Sequence, residues 1–221
     1  MKNCILIPSY NEARTIGAIT KELKGRGLTV YVVDDGSTDK TADIARREGA
    51  VVVSHNENKG KGSSLIEGFS HILKRDYDAV LTMDGDGQHK TDDIDNFFKK
   101  MDETGADIII GNRMSNAASM PRARFITNRI MSSIISKMCG QEIADTQCGF
   151  KLIKRNVLEG ISFEFSNFEI ESEIILKAAR KGYKIESIPV QTVYRDEMSK
   201  IRPMFDTIRF LFFMIKMAWP E

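Results

Sequence analysis

Cysteine is scarce in this chain and follows no pattern. Cys4, Cys139 and Cys148 are an odd set without metal-ligand spacing, which excludes a disulfide framework and fits a reducing compartment. Charge of one sign is missing as well: 32 basic residues face 31 acidic ones, for a net charge of +1. That balance gives no global field of the kind that marks a nucleic-acid binder. Long hydrophobic runs are also missing, since nothing approaches the roughly 20 uninterrupted apolar residues that span a bilayer. Met1-Lys2-Asn3 leads straight into a strand-like run, so no signal peptide is expected and the expected location is cytoplasmic. His55, His71 and His89 show no pairing at metal-ligand spacing. Repeats, low-complexity tracts and linkers are absent, so residues 1–221 are expected to form one domain.

What is present begins with an alternation. Cys4 to Ile7, Thr29 to Val33, Val51 to Val53, Ala79 to Met83 and Asp107 to Ile110 are short apolar, largely β-branched runs. Helical patterns separate them: Asn11 to Lys24, Thr41 to Glu48 with Ser37 or Thr38 as its cap, Ser63 to Arg75, and Thr91 to Glu103. Continuous apolar strands between helices predict a mostly parallel sheet covered on both faces, an α/β class. The second half is expected to carry a loop over Ser115 to Arg124, a helix over Phe125 to Met138 and a turn into a strand over Asp145 to Ile153. A helix over Phe168 to Arg180, a strand over Lys184 to Val190 and a basic loop over Tyr194 to Arg202 follow.

Parallel sheets of this type bind ligands at the carboxyl ends of their strands, where the polar motifs of this chain fall. Asp84-Gly85-Asp86 follows the apolar run ending at Met83, so two carboxylates one residue apart can converge on one hard cation such as Mg²⁺ or Mn²⁺. Pro8-Ser9-Tyr10-Asn11-Glu12 and Asp34-Asp35-Gly36-Ser37 end the first two strands and offer a ring and carboxylates to a base and its ribose. Taken singly, such residues are also ordinary caps and turns. Asn58-Lys59-Gly60-Lys61-Gly62 lacks the spacing of a Walker A loop and reads as a phosphate contact or a plain basic turn. Asp92, Asp93 and Asp95 suit a first helical turn without any ligand.

Together and in this order, these motifs resemble a family 2 glycosyltransferase of GT-A fold. Asp145-Thr146-Gln147-Cys148-Gly149-Phe150-Lys151 narrows the resemblance to dolichyl-phosphate mannosyltransferases and glucosyltransferases. It implies that Pro8, Tyr10, Glu12, Val33 and Asp35 hold the nucleoside, with Lys61 and Gly85 also in the donor site. It further implies that Asp84, Asp86 and Gln88 bind Mg²⁺ or Mn²⁺, directly or through water. Arg113 matches an arginine near the donor phosphates, Arg124 one facing the acceptor phosphate, and Arg195 a third phosphate contact. Arg122, Arg129 and Arg202 match no such position.

The implied reaction is inverting transfer of a hexose, mannose from GDP-mannose or glucose from UDP-glucose, to a polyprenyl phosphate. That acceptor is already ionised and needs no general base. A saccharide hydroxyl would need one, with Glu169 ahead of Glu171 and Glu173 as the candidate, although acids at a helix start also suit its dipole. A non-catalytic nucleotide-sugar-binding subunit is the remaining alternative. Met131, Ile134, Ile135 and Met138 recur at helical spacing and read as core or partner contact. Over about 203–219, Met204, Ile208, Leu211, Phe212, Ile215 and Trp219 would share an apolar face. Asp206, Arg209 and Lys216 fall in a polar sector on which Phe213 intrudes. A helix of this kind docks on a membrane surface, its own core or another subunit, including a second copy of the chain.

Overall fold

The computed structural model describes residues 1–167, 169–193, 213, 214, 216 and 217. Seven strands form one sheet: β1 (Asn3–Ser9), β2 (Thr29–Asp34), β3 (Val51–Ser54), β4 (Ala79–Thr82), β5 (Ile108–Asn112), β6 (Lys151–Lys154) and β7 (Ile185–Pro189). Among the described residues seven bounded α-helices accompany them: α1 (Ile16–Gly25), α2 (Thr41–Arg47), α3 (Lys61–Leu73), α4 (Ile94–Thr104), α5 (Arg122–Cys139), α6 (Arg155–Gly160) and α7 (Ile170–Arg180).

The strand order is β3-β2-β1-β4-β6-β5-β7. Successive residues of a strand face opposite sides, yet Cys4, Ile5, Leu6 and Ile7 of β1 are all fully buried. Both faces of the central strands are therefore covered, which is why their sequences run apolar without alternating. Gly68 on α3 lets that helix close on β1, since a Cβ there would lie 2.4 Å from Leu6 Cδ1. All pairings are parallel except those of β6, which runs antiparallel between β4 and β5 and sets Leu152 opposite both Leu81 and Ile109. This one reversed strand carries the end of the Asp145–Lys151 motif into the middle of the sheet.

Among the described residues the expected elements are found, with local differences; the loop expected over Tyr194 to Arg202 lies outside the described residues, as does most of the segment 203–219. The helix expected from Phe125 begins at Arg122, directly after Pro121, and the expected loop holds a 3₁₀ segment at Met114–Ser119. Proline lacks an amide donor, so a helix starts beside it at no loss. The short helix α6 was not foreseen in the sequence. Neither Ser37 nor Thr38 caps α2. Both are bound to Asn11, and at the start of α2, where Lys40 is the N-cap residue, Asp39 Oδ1 accepts from the Thr41 amide at 2.9 Å. Near the C-terminus, Phe213 and Met217 are buried in the core, Lys216 pairs with Glu164 at 2.7 Å, and the Arg180 guanidinium donates to the Met217 carbonyl. Phe213, expected to intrude on a polar sector, instead faces the protein, because its ring meets Phe165 edge-on at 5.0 Å. Met204, Ile208, Leu211, Phe212, Ile215 and Trp219 lie outside the described residues, as does Arg195.

Candidate active site

The strand-end motifs are laced to one another by backbone and side-chain hydrogen bonds. Pro8 on β1 pairs with Val33 on β2, and the Asp35 amide donates to the Ser9 carbonyl at 2.8 Å. Asn11 sits at φ +55, a left-handed turn that asparagine tolerates. There its amide donates to Ser37 Oγ at 2.9 Å and its Oδ1 accepts from the Thr38 amide at 2.8 Å. The Glu12 amide donates to Thr41 Oγ1 at 2.8 Å. Thr15 Oγ1 donates to the Gly85 carbonyl at 2.6 Å, tying the first motif to the acidic turn. A Cβ on Gly85 would lie 2.7 Å from Ser9 Oγ, so only glycine lets this turn come so close.

Asp35 is buried and turned inward. Its carboxylate accepts from the amides of Lys59 and Gly60, both at 2.9 Å, and lies 2.7 Å from His55 Nδ1. His55 Nε2 in turn lies 2.9 Å from Glu67. In this arrangement Asp35 shapes the Asn58–Gly62 loop, and Gly60, at φ +94, makes the turn that delivers Lys61 into the site. His55 and Glu67 carry no sequence signal for this role, since neither lies in a motif and their pairing depends on the β3–α3 geometry.

Lys61 is the hub. Its Nζ lies 2.5 Å from Asp84 Oδ1 and 2.9 Å from Glu171 Oε1. Buried Glu171 also pairs with fully buried Lys151, which donates to the Cys148 carbonyl as well. His89 Nε2 approaches Asp84 Oδ2 at 3.4 Å, and its ring tilts against Phe150. The result is a chain of alternating charge from Lys151 through Glu171 and Lys61 to Asp84. Burial alone would raise the Asp84 pKa, but Lys61 and His89 outweigh it and hold this carboxyl well below its usual value. Burial and the neighbouring Asp84 charge act together on Asp86 and raise it, against the Gln88 amide that donates to it at 2.9 Å. Burial opposes the charged form of Lys61, yet Asp84 and Glu171 raise its pKa above the usual lysine value.

Gly149 closes the site from the other side. A Cβ there would meet Lys61 Nζ at 2.7 Å and the two Asp84 oxygens at 2.8 and 2.9 Å. Thr82 Oγ1 fixes that backbone by donating to the Gly149 carbonyl at 2.8 Å. At the start of the same motif, fully buried Asp145 takes the Arg113 guanidinium through Nε at 2.7 Å and Nη2 at 2.9 Å, a two-pronged pairing. The Arg113 side chain is thus oriented by Asp145, which sequence reading placed in a motif without a partner. Arg124 lies in the first turn of α5, half-buried.

Among the described residues, no group of three or more His, Cys, Asp or Glu forms a ready cation cage. Asp84 and Asp86 nevertheless fit a hard divalent ion, which commonly takes one or two carboxylates and completes its shell with water and phosphate. Lys61 Nζ already supplies positive charge at that carboxylate, and His89 Nδ1 beside it is buried with no hydrogen-bond partner. Of the carboxylates weighed as a base, Glu171 is held by lysines, and Glu173 accepts from the Glu164 amide at 2.8 Å and pairs with Lys177 at 2.8 Å. Glu169 Oε2 is buried without a hydrogen-bond partner.

Residues 4–162 match the family described as glycosyl transferase family 2. A dolichyl-phosphate β-glucosyltransferase of Saccharomyces cerevisiae is 30% identical, over 93% of this chain and 70% of its own length. A UDP-N-acetylglucosamine–dolichyl-phosphate N-acetylglucosaminyltransferase of Methanococcus voltae is 26% identical, over 87% of this chain and 86% of its own. Among solved structures, glucosyl-3-phosphoglycerate synthase from Mycobacterium tuberculosis, in complex with Mn²⁺, UDP and glucosyl-3-phosphoglycerate, superposes with a TM-score of 0.74. It is 17% identical and the match covers 100% of this chain and 81% of that one, a likeness of fold. The mostly parallel seven-stranded α/β sheet is that of GT-A enzymes, and this chain belongs to glycosyl transferase family 2.

Proposed function

We propose that the protein transfers a hexosyl group from a nucleoside diphosphate sugar to a polyprenyl phosphate, with inversion at the anomeric carbon. An acceptor phosphate oxygen attacks that carbon, the bond from carbon to the donor's diphosphate oxygen breaks, and its electron pair leaves with the nucleoside diphosphate. No proton need be removed from an ionised phosphate, and two of the three carboxylates that could serve as a base, Glu171 and Glu173, are committed to lysines. The observation that carries the reading is the meeting of Asp84, Lys61 and bare Gly149 at one point. There the acidic turn, the basic loop and the Asp145–Lys151 motif close on the place where diphosphate charge would develop.

Asp84 and Asp86 would hold Mg²⁺ or Mn²⁺, which when bound offsets the charge of the departing diphosphate. Lys61 adds a cation from the protein itself, and Glu171 fixes where that cation sits. Arg113 is held in one orientation by Asp145, so its guanidinium presents a fixed edge instead of a mobile charge. Preorganised charge of this kind supplies several kcal/mol of transition-state stabilisation in other enzymes. Pro8, Tyr10, Glu12 and Val33 would flank the nucleoside, and Arg124 and Arg195 the acceptor phosphate. Both relatives named above carry dolichyl phosphate in their names while differing in sugar, which supports the acceptor class over any single sugar. A peripheral position at a membrane surface follows from such an acceptor, and the cytoplasmic face is the one expected from the sequence.

The test is transfer of radiolabelled hexose from UDP-glucose and GDP-mannose to a short-chain polyprenyl phosphate, with Mn²⁺ or with EDTA. Label in the organic phase, lost with EDTA, is the expected result. A saccharide hydroxyl outperforming the lipid phosphate would overturn it. One observation favours that second reading: the unpartnered Oε2 of Glu169 has the freedom a general base needs. Glu169→Gln would then abolish transfer, whereas under the phosphate reading it leaves turnover within a few-fold.

A further inference from the structure

The carboxylate best placed for a divalent ion already has a cation on it. Lys61 Nζ lies 2.5 Å from Asp84 Oδ1 and 2.9 Å from Glu171 Oε1, so one ammonium bridges two carboxylates. The pair is not sealed, because the side chains of Lys61 and Asp84 are 17% and 31% exposed and a ligand can reach both. Gly149 puts no side chain against them, and a Cβ there would lie 2.7 Å from Nζ and 2.8 and 2.9 Å from the Asp84 oxygens.

What can move here is the lysine side chain and not the loop that carries it. The Asp35 carboxylate holds the amides of Lys59 and Gly60, both at 2.9 Å. On the other side, a Cβ on Gly62 would meet the Ser166 carbonyl carbon at 2.4 Å, and the Ser63 amide donates to the Ser166 carbonyl at 3.0 Å. The backbone is thus pinned before and after Lys61. A lysine carries a compact ammonium with three donors on a flexible stem, so it can change acceptor while its backbone stays in place. Glu171 gives that ammonium somewhere to stay: it is buried, and Lys151 occupies its other oxygen.

Charge decides when the exchange is favourable. Lys61 and Lys151 formally cancel two of the three negative charges on Asp84, Asp86 and Glu171. A divalent ion arriving alone must take Asp84 from Lys61 and then sits beside an ammonium that has gained no new acceptor, and like charges a few ångström apart repel. A nucleoside diphosphate removes that cost, because its oxygens serve the ion and the ammonium together. We infer that Lys61 is a displaceable counter-ion of Asp84, which covers this carboxylate in the free protein and passes to the diphosphate, so that the divalent ion binds well only together with the nucleotide. This inference rests on the nucleotide-sugar part of the proposed function and is independent of the acceptor.

The test is Mn²⁺ binding to the full chain, read by electron paramagnetic resonance, alone and with saturating UDP or GDP. The wild type should hold Mn²⁺ weakly alone and at least tenfold more tightly with one of the nucleotides. Lys61→Met should bind Mn²⁺ alone at least tenfold more tightly than the wild type, and its gain from nucleotide should shrink by at least the same factor. Loss of a lysine that only supported the fold would weaken the site instead. Lys61→Gln should behave as Lys61→Met, whereas Lys61→Arg keeps the charge and should stay within threefold of the wild type for Mn²⁺ alone. Affinity for Mn²⁺ alone in the two neutral variants at or below that of the wild type would overturn the inference, as would an undiminished gain from nucleotide. Failure of both neutral variants to fold would show the pair to be structural and overturn it too. A wild type to which neither nucleotide brings Mn²⁺ refutes the nucleotide-sugar donor, and the affinities for Mn²⁺ alone then decide whether Lys61 covers Asp84.

Discussion

Gly149→Ala isolates the chemistry of the site from the stability of the fold. The added methyl would sit 2.7 Å from Lys61 Nζ and 2.8 and 2.9 Å from the Asp84 oxygens, and no backbone atom is among its nearest neighbours. Restoring ordinary contact moves these groups by roughly 0.5–0.7 Å. Both are ends of side chains, so the protein yields without unfolding. Gly149 has no left-handed φ, so alanine also narrows the unfolded ensemble, a gain of about 0.4–1 kcal/mol that offsets the crowding. The melting temperature should therefore stay within about 4 °C of the wild type, given that 1 kcal/mol moves a domain of this size by roughly 2–4 °C.

Activity should respond differently. A misplacement of about 1 Å at a reacting centre can cost on the order of 10²-fold, so half that distance at Asp84 and Lys61 predicts a loss of roughly 10–100-fold in kcat. Metal-dependent nucleotide diphosphate binding, read by titration calorimetry with Mn²⁺, should weaken in parallel. Gly68→Ala is the matched control, because its Cβ would meet core atoms of Leu6 at 2.4 Å and far from the acidic turn. Overpacking there should cost about 1–3 kcal/mol of stability with little change in turnover. Wild-type turnover in Gly149→Ala, or an unfolded protein, would refute the placement of Gly149 against the donor site.

Asp86→Asn should abolish transfer while the protein folds normally. Burial and the Asp84 charge raise the Asp86 pKa, so Mn²⁺ binding by the wild type should weaken as pH falls through that raised value, and calorimetry across pH should find the dependence gone in the variant. The sign for stability is opposite: the ionised group is disfavoured in the fold, so Asn should melt higher than Asp above that raised pKa, with the difference shrinking as pH falls and vanishing only below the ordinary aspartate pKa of the unfolded chain. Asp145→Asn removes the buried charge that pairs with the Arg113 guanidinium, and urea denaturation should show a loss of about 3–5 kcal/mol, partly restored by adding Arg113→Met. Arg124→Ala should raise the acceptor KM or lower kcat in steady-state assays while leaving donor affinity unchanged, and an altered donor affinity would contradict its place on the acceptor side.

The parallel core was legible because its signal is local. Runs such as Ile5-Leu6-Ile7 and Tyr31-Val32-Val33 can be buried on both faces only in a covered sheet, and each ends in a polar motif. The sequence order of those motifs was enough to place Asp84 and Lys61 in one crevice. Pairings that cross the fold were not legible. Asp35 stands in a motif that the resemblance assigns to the nucleoside, and nothing in the sequence shows that the β3–α3 connection returns to its carboxylate with two amides and His55. Glu171 was one of three similar acids until Lys151 and Lys61 closed on it from β6 and α3. Asp145 and Arg113 are 32 positions apart, and only the reversed strand β6 brings that motif back to the end of β5.

Helix α5 marks the limit of periodicity itself. Spacing at Met131, Ile134, Ile135 and Met138 reports that a helix has apolar residues one turn apart, but not which side the protein lies on. The structure divides neighbours: Ile135 is fully buried and Ile134 is 40% exposed. What turns the helix is polar, because Ser132 and Asn128 are drawn inward, Ser132 by the Thr146 amide of the turn that also holds Asp145. A buried hydrogen bond to an amide that would otherwise be unsatisfied can outweigh the burial of one isoleucine, since each effect is worth about 1–3 kcal/mol. Fixing the Asp145–Thr146 turn from within sets the face that α5 turns inward, with Ile126, Ile130 and Ile134 on the other side. The helix that holds this turn through Ser132 leaves Ile126, Ile130 and Ile134 exposed.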